Sequence, residues 1–181
     1  MKLSTRLMKK LQEPSRVDTL ISGLIARLRS LWYGSEVTLY FDGSCEPVNP
    51  RGHGTAAWVI ERDGQVINEG SIYLGYGEGQ TNNVSEVMGL INGLHRLLEL
   101  GLQGASVTVK GDSLIVIRAL KSKRKVSGVY AKHVPEAREL AGRFKNIKFQ
   151  HIPRALNSYC DSLTHGKVVN ALDQEFTQVT A

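Results

Sequence analysis

Two cysteines, Cys45 and Cys160, are all that the 181 residues contain. That is too few for a disulfide scaffold, and a chain of this length can bury a core without one. Their scarcity fits a reducing compartment, so the cytoplasm is the expected location. No apolar run approaches the roughly 18 residues that a membrane-spanning helix requires, which excludes a bilayer-spanning role. Internal repeats and low-complexity stretches are also missing, which excludes solenoid and array architectures. Lys9, Lys10 and Glu13 interrupt every early apolar stretch long enough to serve as a secretory signal.

What is present has the balance of a globular protein, with 41% hydrophobic and 22% charged residues. Domains cluster near roughly 100 to 150 residues, so the length predicts one domain and an appendage. The formal charge of +6 points to an anionic partner. Its distribution is uneven. Residues 1–36 hold seven Lys or Arg against three acids, a balance of +4, and leave only +2 for the rest.

This basic leader, residues 1–35, carries Val17, Leu20, Ile21, Leu24, Leu28, Leu31 and Trp32 at three- and four-residue spacing. The spacing predicts an amphipathic helix packed on its own domain or on a partner chain. Glu13 and Asp18 count against an organelle-targeting peptide. From Glu36 the period becomes two, predicting a strand that ends in a turn at Asp42-Gly43. Strands follow at 55–61 and 66–73, joined by a hairpin at Asp63-Gly64. A glycine-rich loop at 75–79 leads into a helix with Val87, Leu90, Ile91, Leu94, Leu97 and Leu98 on its apolar side. A fourth strand over 105–110, a short helix over 114–120, a helix near 135–144, a fifth strand over 147–152 and a last helix from about Ser158 complete the pattern. The order βββαβαβα predicts an α/β fold: a five-stranded mixed sheet with helices on both faces and strands one, four and five parallel at its centre. The domain is expected over 36–172, with a tail at 173–181.

Four acids fall at element ends: Asp42, Glu86, Asp112 and Asp161. Each has an ordinary local explanation. Asp42 suits a turn start, Glu86 sits at capping-box distance from Asn83, Asp112 can cap the following helix, and Asp161 can complement a helix dipole. Taken together they point elsewhere. Parallel first and fourth strands deliver Asp42 and Asp112 to the carboxyl edge of the sheet, where open α/β sheets bind ligands, and helix starts bring Glu86 and Asp161 there. Four carboxylates at one spot repel unless cations neutralise them. Oxygen-only donors favour Mg²⁺, with Mn²⁺ as a substitute, and a pair of such ions suits attack of water on a phosphodiester.

The stretches FDGSCEPVNP, TNNVSEVMGLINGL, VKGDS and HIPRALNSYCDSLTHG resemble, in order and spacing, the four signature segments of type I ribonuclease H. The resemblance spans about residues 36–172 and implies the ribonuclease H-like fold. It also implies a hydrolase that cuts the RNA strand of RNA/DNA hybrids, leaving 5′-phosphate and 3′-hydroxyl ends. By it, Asp42, Glu86, Asp112 and Asp161 are the catalytic, metal-holding acids. Asn49, Asn82 and Asn83 lie near the hybrid's minor groove, where amides can read 2′-hydroxyls. Thr81 matches a DNA-phosphate contact, and Gly43, Ser44, Cys45 and Ser113 lie on the substrate side. His151 and Arg154 compete for the role of assisting the reaction and product release.

The chain departs from the family in places. The basic protrusion of some members is absent, which matches the compact branch of the family. The run Lys121 to Lys125, with Lys123 and Arg124 as the expected phosphate contacts, takes its place. Leu114 stands where a polar residue is common. The competing reading is a non-cleaving ribonuclease H-like module of a reverse-transcribing element, and a transposase or resolvase of the same superfamily fits less well.

Overall fold

The computed structural model describes residues 20–21, 36–122 and 124–165. Two compact units divide the chain, Met1–Gly34 and Ser35–Ala181. Of the first, Leu20 and Ile21 are described and are helical. The rest of the expected leader helix, the segment 166–172, the tail at 173–181 and Lys123 lie outside the described residues.

In the second unit the strands are β1 (Glu36–Glu46), β2 (His53–Arg62), β3 (Gln65–Tyr76), β4 (Ser106–Gly111) and β5 (Asn146–His151). The helices are α1 (Asn82–Glu99), α2 (Leu114–Lys121), α3 (Val134–Ala141) and α4 (158–165), with 3₁₀ turns at Val129–Lys132 and Arg154–Leu156. The sheet order is β3-β2-β1-β4-β5. β1 pairs antiparallel with β2 and parallel with β4, and β4 pairs parallel with β5. The expected parallel trio is present, but β1 occupies the middle of the sheet and β5 its edge. β5 is accordingly more exposed than β1, with only alternate residues half-buried.

Period-two alternation sorts the two faces. Val37, Leu39 and Phe41 join Ile60, Val107 and Val109 in the main core beneath Leu90, Leu94 and Leu97 of α1. On the opposite face Tyr40, Ala57 and Val59 pack with Cys160 and Leu163 of α4. Helices therefore cover both faces. α1 crosses β1 and β2 closely because it presents a glycine there: a Cβ at Gly89 would press on the carbonyl oxygens of Asp42 and Ala57. Among the described residues no helix is long and apolar enough to cross a membrane.

One expectation is corrected. Asp42-Gly43 is not a turn, since β1 runs on to Glu46 with Asp42 opposite Ala57 and Gly43 opposite Ala56. The long antiparallel partner β2 supplies ladder bonds that outweigh the local turn preference of Asp-Gly. The hairpin at Asp63-Gly64 is as expected, with both residues at positive φ.

Candidate active site

The parallel ladder between β1 and β4 ends at Tyr40↔Lys110. Two residues beyond that pair stand Asp42, still within β1, and Asp112, the first residue after β4, where the two strands part. α1 adds Glu86. Its second turn presses on β1 so closely that a Cβ at Gly43 would collide with the backbone of Ser85 and Glu86. Gly43 is thus needed for the approach of the helix, whatever else it touches. α4 adds Asp161. All four acids line one cavity of about 180 Å³, together with Gly43, Ser44, Cys45, Glu46, Asn82 and Arg154.

The local explanations for three of these acids do not hold. Asp42 lies within a strand. Thr81, not Asn83, caps α1, its hydroxyl accepting from the Val84 N–H at 3.1 Å. Ser113, not Asp112, caps α2, accepting from the Val116 N–H at 3.4 Å. The carboxylates of Asp42, Glu86 and Asp112 are therefore free of the duties that would have accounted for them.

Their electrostatics are those of crowded acids. Burial, followed by repulsion from Asp112 and Asp161, pushes the Asp42 carboxyl up to about 8, against an opposing contribution from the Gly43 N–H. Burial raises Glu86 to about 7, offset in part by a hydrogen bond from Ser113 and by the charge of Arg154. Glu86 Oε2 is buried without a hydrogen-bond partner. A group in this state gains from a cation placed against it, and a donor set made only of carboxylate oxygens suits Mg²⁺ or Mn²⁺. One cation is already present in the chain: Arg154 Nη2 donates to Asp161 Oδ1 at 2.7 Å. Among the described residues no three acid, His or Cys side chains converge in ligating geometry around one point.

The remaining expected residues divide. Asn82 lines the cavity, and its backbone N–H donates to Asn49 Oδ1 at 3.2 Å, which places the Asn49 amide beside the start of α1. Asn83 is half-buried in the first turn of α1 and does not line the cavity. Ser44 lines it, although its hydroxyl is shared with Thr55 at 2.7 Å. The buried Cys45 thiol donates to the Val48 carbonyl at 3.3 Å. His151 Nε2 reaches the Asp112 carbonyl oxygen at 3.1 Å from outside the cavity lining, whereas Arg154 stands within it. Arg124 is in a separate cavity of about 320 Å³ with Arg118, Lys125 and Tyr130.

Two residues escaped the sequence reading. Glu46 lines the cavity and pairs with His165 Nε2 at 3.2 Å. Strand alternation from Asp42 through Ser44 would have found it, had β1 been carried past Gly43. Asn157, 1% exposed, donates to both Phe41 O and Asp112 Oδ1 at 3.0 Å. Nothing in its residue type marks it.

Comparison with known proteins agrees with this geometry. The family model described as reverse transcriptase-like matches residues 40–166. The bifunctional protein Rv2228c of Mycobacterium tuberculosis is 33% identical over 124 residues, which are 68% of this chain and 32% of that protein. The chain thus spans about a third of the length of that relative. The solved N-terminal RNase H domain of the same protein superposes with a TM-score of 0.69 at 28% identity, covering 78% of this chain and 99% of that one. Ribonuclease HI of Halobacterium salinarum is 30% identical over 140 residues, 73% of this chain and 64% of its own length. LC11-RNase H1, isolated from compost, superposes with a TM-score of 0.68 at 30% identity, covering 76% of this chain and 98% of that one. LC11-RNase H1 has also been solved in complex with an RNA/DNA hybrid. A match over residues 40–166, the five-stranded mixed sheet and four acids at one sheet edge agree: this chain belongs to the reverse transcriptase-like family, as a type 1 ribonuclease H.

Proposed function

We propose that the domain hydrolyses the RNA strand of an RNA/DNA hybrid with two divalent cations, leaving 5′-phosphate and 3′-hydroxyl ends. The observation that carries this reading is the convergence of Asp42, Glu86, Asp112 and Asp161 on one cavity, with two of them held above their ordinary range by burial and mutual repulsion. The LC11-RNase H1 complex with a hybrid supports the choice of substrate.

These four carboxylates would hold the cations, which when bound lower the pKa of a water nucleophile and stabilise the departing oxygen. Arg154 orients Asp161 and adds positive charge where a phosphate enters the cavity. Asn82, in the cavity lining, and Asn49, beside the start of α1, offer amides suited to a 2′-hydroxyl in a minor groove. The Thr81 hydroxyl accepts the capping N–H and retains its own proton to donate to a phosphate of the DNA strand. Arg118, Arg124 and Lys125 add sequence-independent attraction for the backbone from the second cavity.

Cleavage of labelled hybrid, duplex DNA, duplex RNA and single-stranded RNA in Mg²⁺, with the product ends identified, tests the reading. Hybrid is expected to be cut well and the others poorly. Asp42→Asn and Asp112→Asn are each expected to lower turnover by at least about three orders of magnitude while remaining folded, because each removes a charge that holds the cations. Near wild-type turnover by either folded variant would overturn the metal assignment. Comparable cutting of duplex or single-stranded RNA would overturn the roles given to Asn49 and Asn82.

A further inference from the structure

We propose that Asn157 is the positioning residue of the acid cluster, holding the Asp112 carboxylate in the orientation that a divalent cation requires. The inference rests on the reading of the cavity as a metal-dependent nuclease site and adds a residue that makes no contact with the substrate in that reading.

An asparagine amide offers two N–H donors and one acceptor oxygen. Here both donors are committed and the acceptor is not. Nδ2 donates to the Phe41 carbonyl and to Asp112 Oδ1, each at 3.0 Å, while Oδ1 is buried without a partner. The reverse orientation would set the amide oxygen against a carbonyl and a carboxylate, three acceptors without a proton, so the hydrogen-bond network itself fixes which way the amide points.

The same residue touches the chain beside three of the four acids. Phe41 immediately precedes Asp42 in β1. Asp112 receives the second bond, and its backbone carbonyl is held from the other side by His151 Nε2 at 3.1 Å. Asn157 also opens α4: its carbonyl accepts from the Asp161 N–H at 3.0 Å, the bond that begins the helical run carrying that acid. If pinning β1 were the only duty, one donor to Phe41 O would suffice. The second donor engages a single carboxylate oxygen, which fixes the plane of Asp112 among neighbours that repel it, including Asp42 and Glu86. Groups that orient a metal-holding carboxylate in this way change metal affinity or activity by about 10- to 100-fold when removed.

The test uses the full chain and three variants. Asn157→Ala removes both donors, Asn157→Asp places a carboxylate oxygen where a donor stood, and Asn157→Ser keeps one hydroxyl donor on a shorter side chain, drawn back from both acceptors. Mg²⁺ binding is measured by calorimetry without nucleic acid. Steady-state cleavage of hybrid is measured across Mg²⁺ concentrations, at a temperature where thermal melts show every variant folded. For the Ala and Asp variants, Mg²⁺ affinity is expected to fall about 10-fold and kcat 10- to 100-fold, with KM for hybrid within about two-fold of wild type. Asn157→Ser is expected to lie between. A folded Asn157→Ala with wild-type Mg²⁺ affinity and kcat would overturn the proposal and leave only a structural link. Should that variant not fold, Asn157→Ser decides by the same two readouts. If the wild-type chain cuts no hybrid, the functional reading fails, and the calorimetry still decides the positioning role separately.

Discussion

Asp42 is 5% exposed, yet its neighbours Asp112, Asp161 and Glu86 are all acids, so its charged form is disfavoured twice over. A carboxyl held at about 8 in the folded chain and near 3.8 when unfolded binds more protons folded than unfolded between those values. Stability of the metal-free protein must therefore fall as pH rises across that window, and Glu86, raised to about 7, adds to the same slope. In chelator, the melting temperature is expected to drop between pH 5 and pH 8, and Asp42→Asn should remove most of the drop. At pH 8 that variant should be the more stable by at least about 1 kcal/mol, roughly 3–5 °C in a domain of this size. Melts of both proteins across pH would check this, and a flat wild-type profile would refute the crowding. Individual residues were unevenly legible. The four acids stood out together and not singly: each has an ordinary local explanation, but the order of strands and helices delivers all four to one edge of the sheet, in segments that resemble the family's signatures. Asn157 did not stand out, because its role depends on Phe41 O, 116 positions away, and on Asp112, 45 away.

At the scale of elements, β1 and α1 matter most, because their contact brings Glu86 beside Asp42. Replacing a helical glycine with alanine ordinarily stabilises by about 1 kcal/mol. At Gly89 the opposite sign is expected, because a Cβ there meets the Asp42 and Ala57 carbonyl oxygens, which are backbone and cannot swing aside. Gly89→Ala should cost about 1–3 kcal/mol as α1 is lifted from the sheet, and should lower cleavage even well below the melting temperature. Denaturant titration and turnover of the variant measure both effects, and a gain in stability would show that the helix has room. Element types were readable from periodicity, but ends were not. β1 passes through Asp42-Gly43 because β2 stays paired with it, and long-range pairing of that kind leaves no local mark.

At the scale of the whole molecule, charge and chemistry occupy different parts of the chain. Residues 1–36 hold +4 of the total +6, whereas every acid of the cavity lies beyond Glu36. A chain shortened to begin at residue 35 is therefore expected to cut saturating hybrid at a rate similar to the full chain. If the leader touches the hybrid, shortening should weaken binding at low salt and the difference should shrink as salt rises, since each released counterion contributes to the salt slope. If the leader packs on an apolar surface, the melting temperature should fall at every salt concentration instead. Salt titrations and melts of the two chains separate these outcomes, and loss of all cleavage by a well-folded shortened chain would place the leader inside the catalytic machinery.

The sequence by itself determined the alternation of strands and helices, the fold class and the four acids as candidates, because side-chain periodicity and residue type are local properties. Only the tertiary structure decided that Asp42 belongs to a strand and not a turn, that Thr81 and Ser113 take the capping duties, and that Arg154 rather than His151 stands in the cavity lining. It alone brought Glu46 and Asn157 to the acids. Those outcomes rest on pairing register and on contacts between residues far apart in the chain, where competing local preferences are similar in energy and the packed core selects among them.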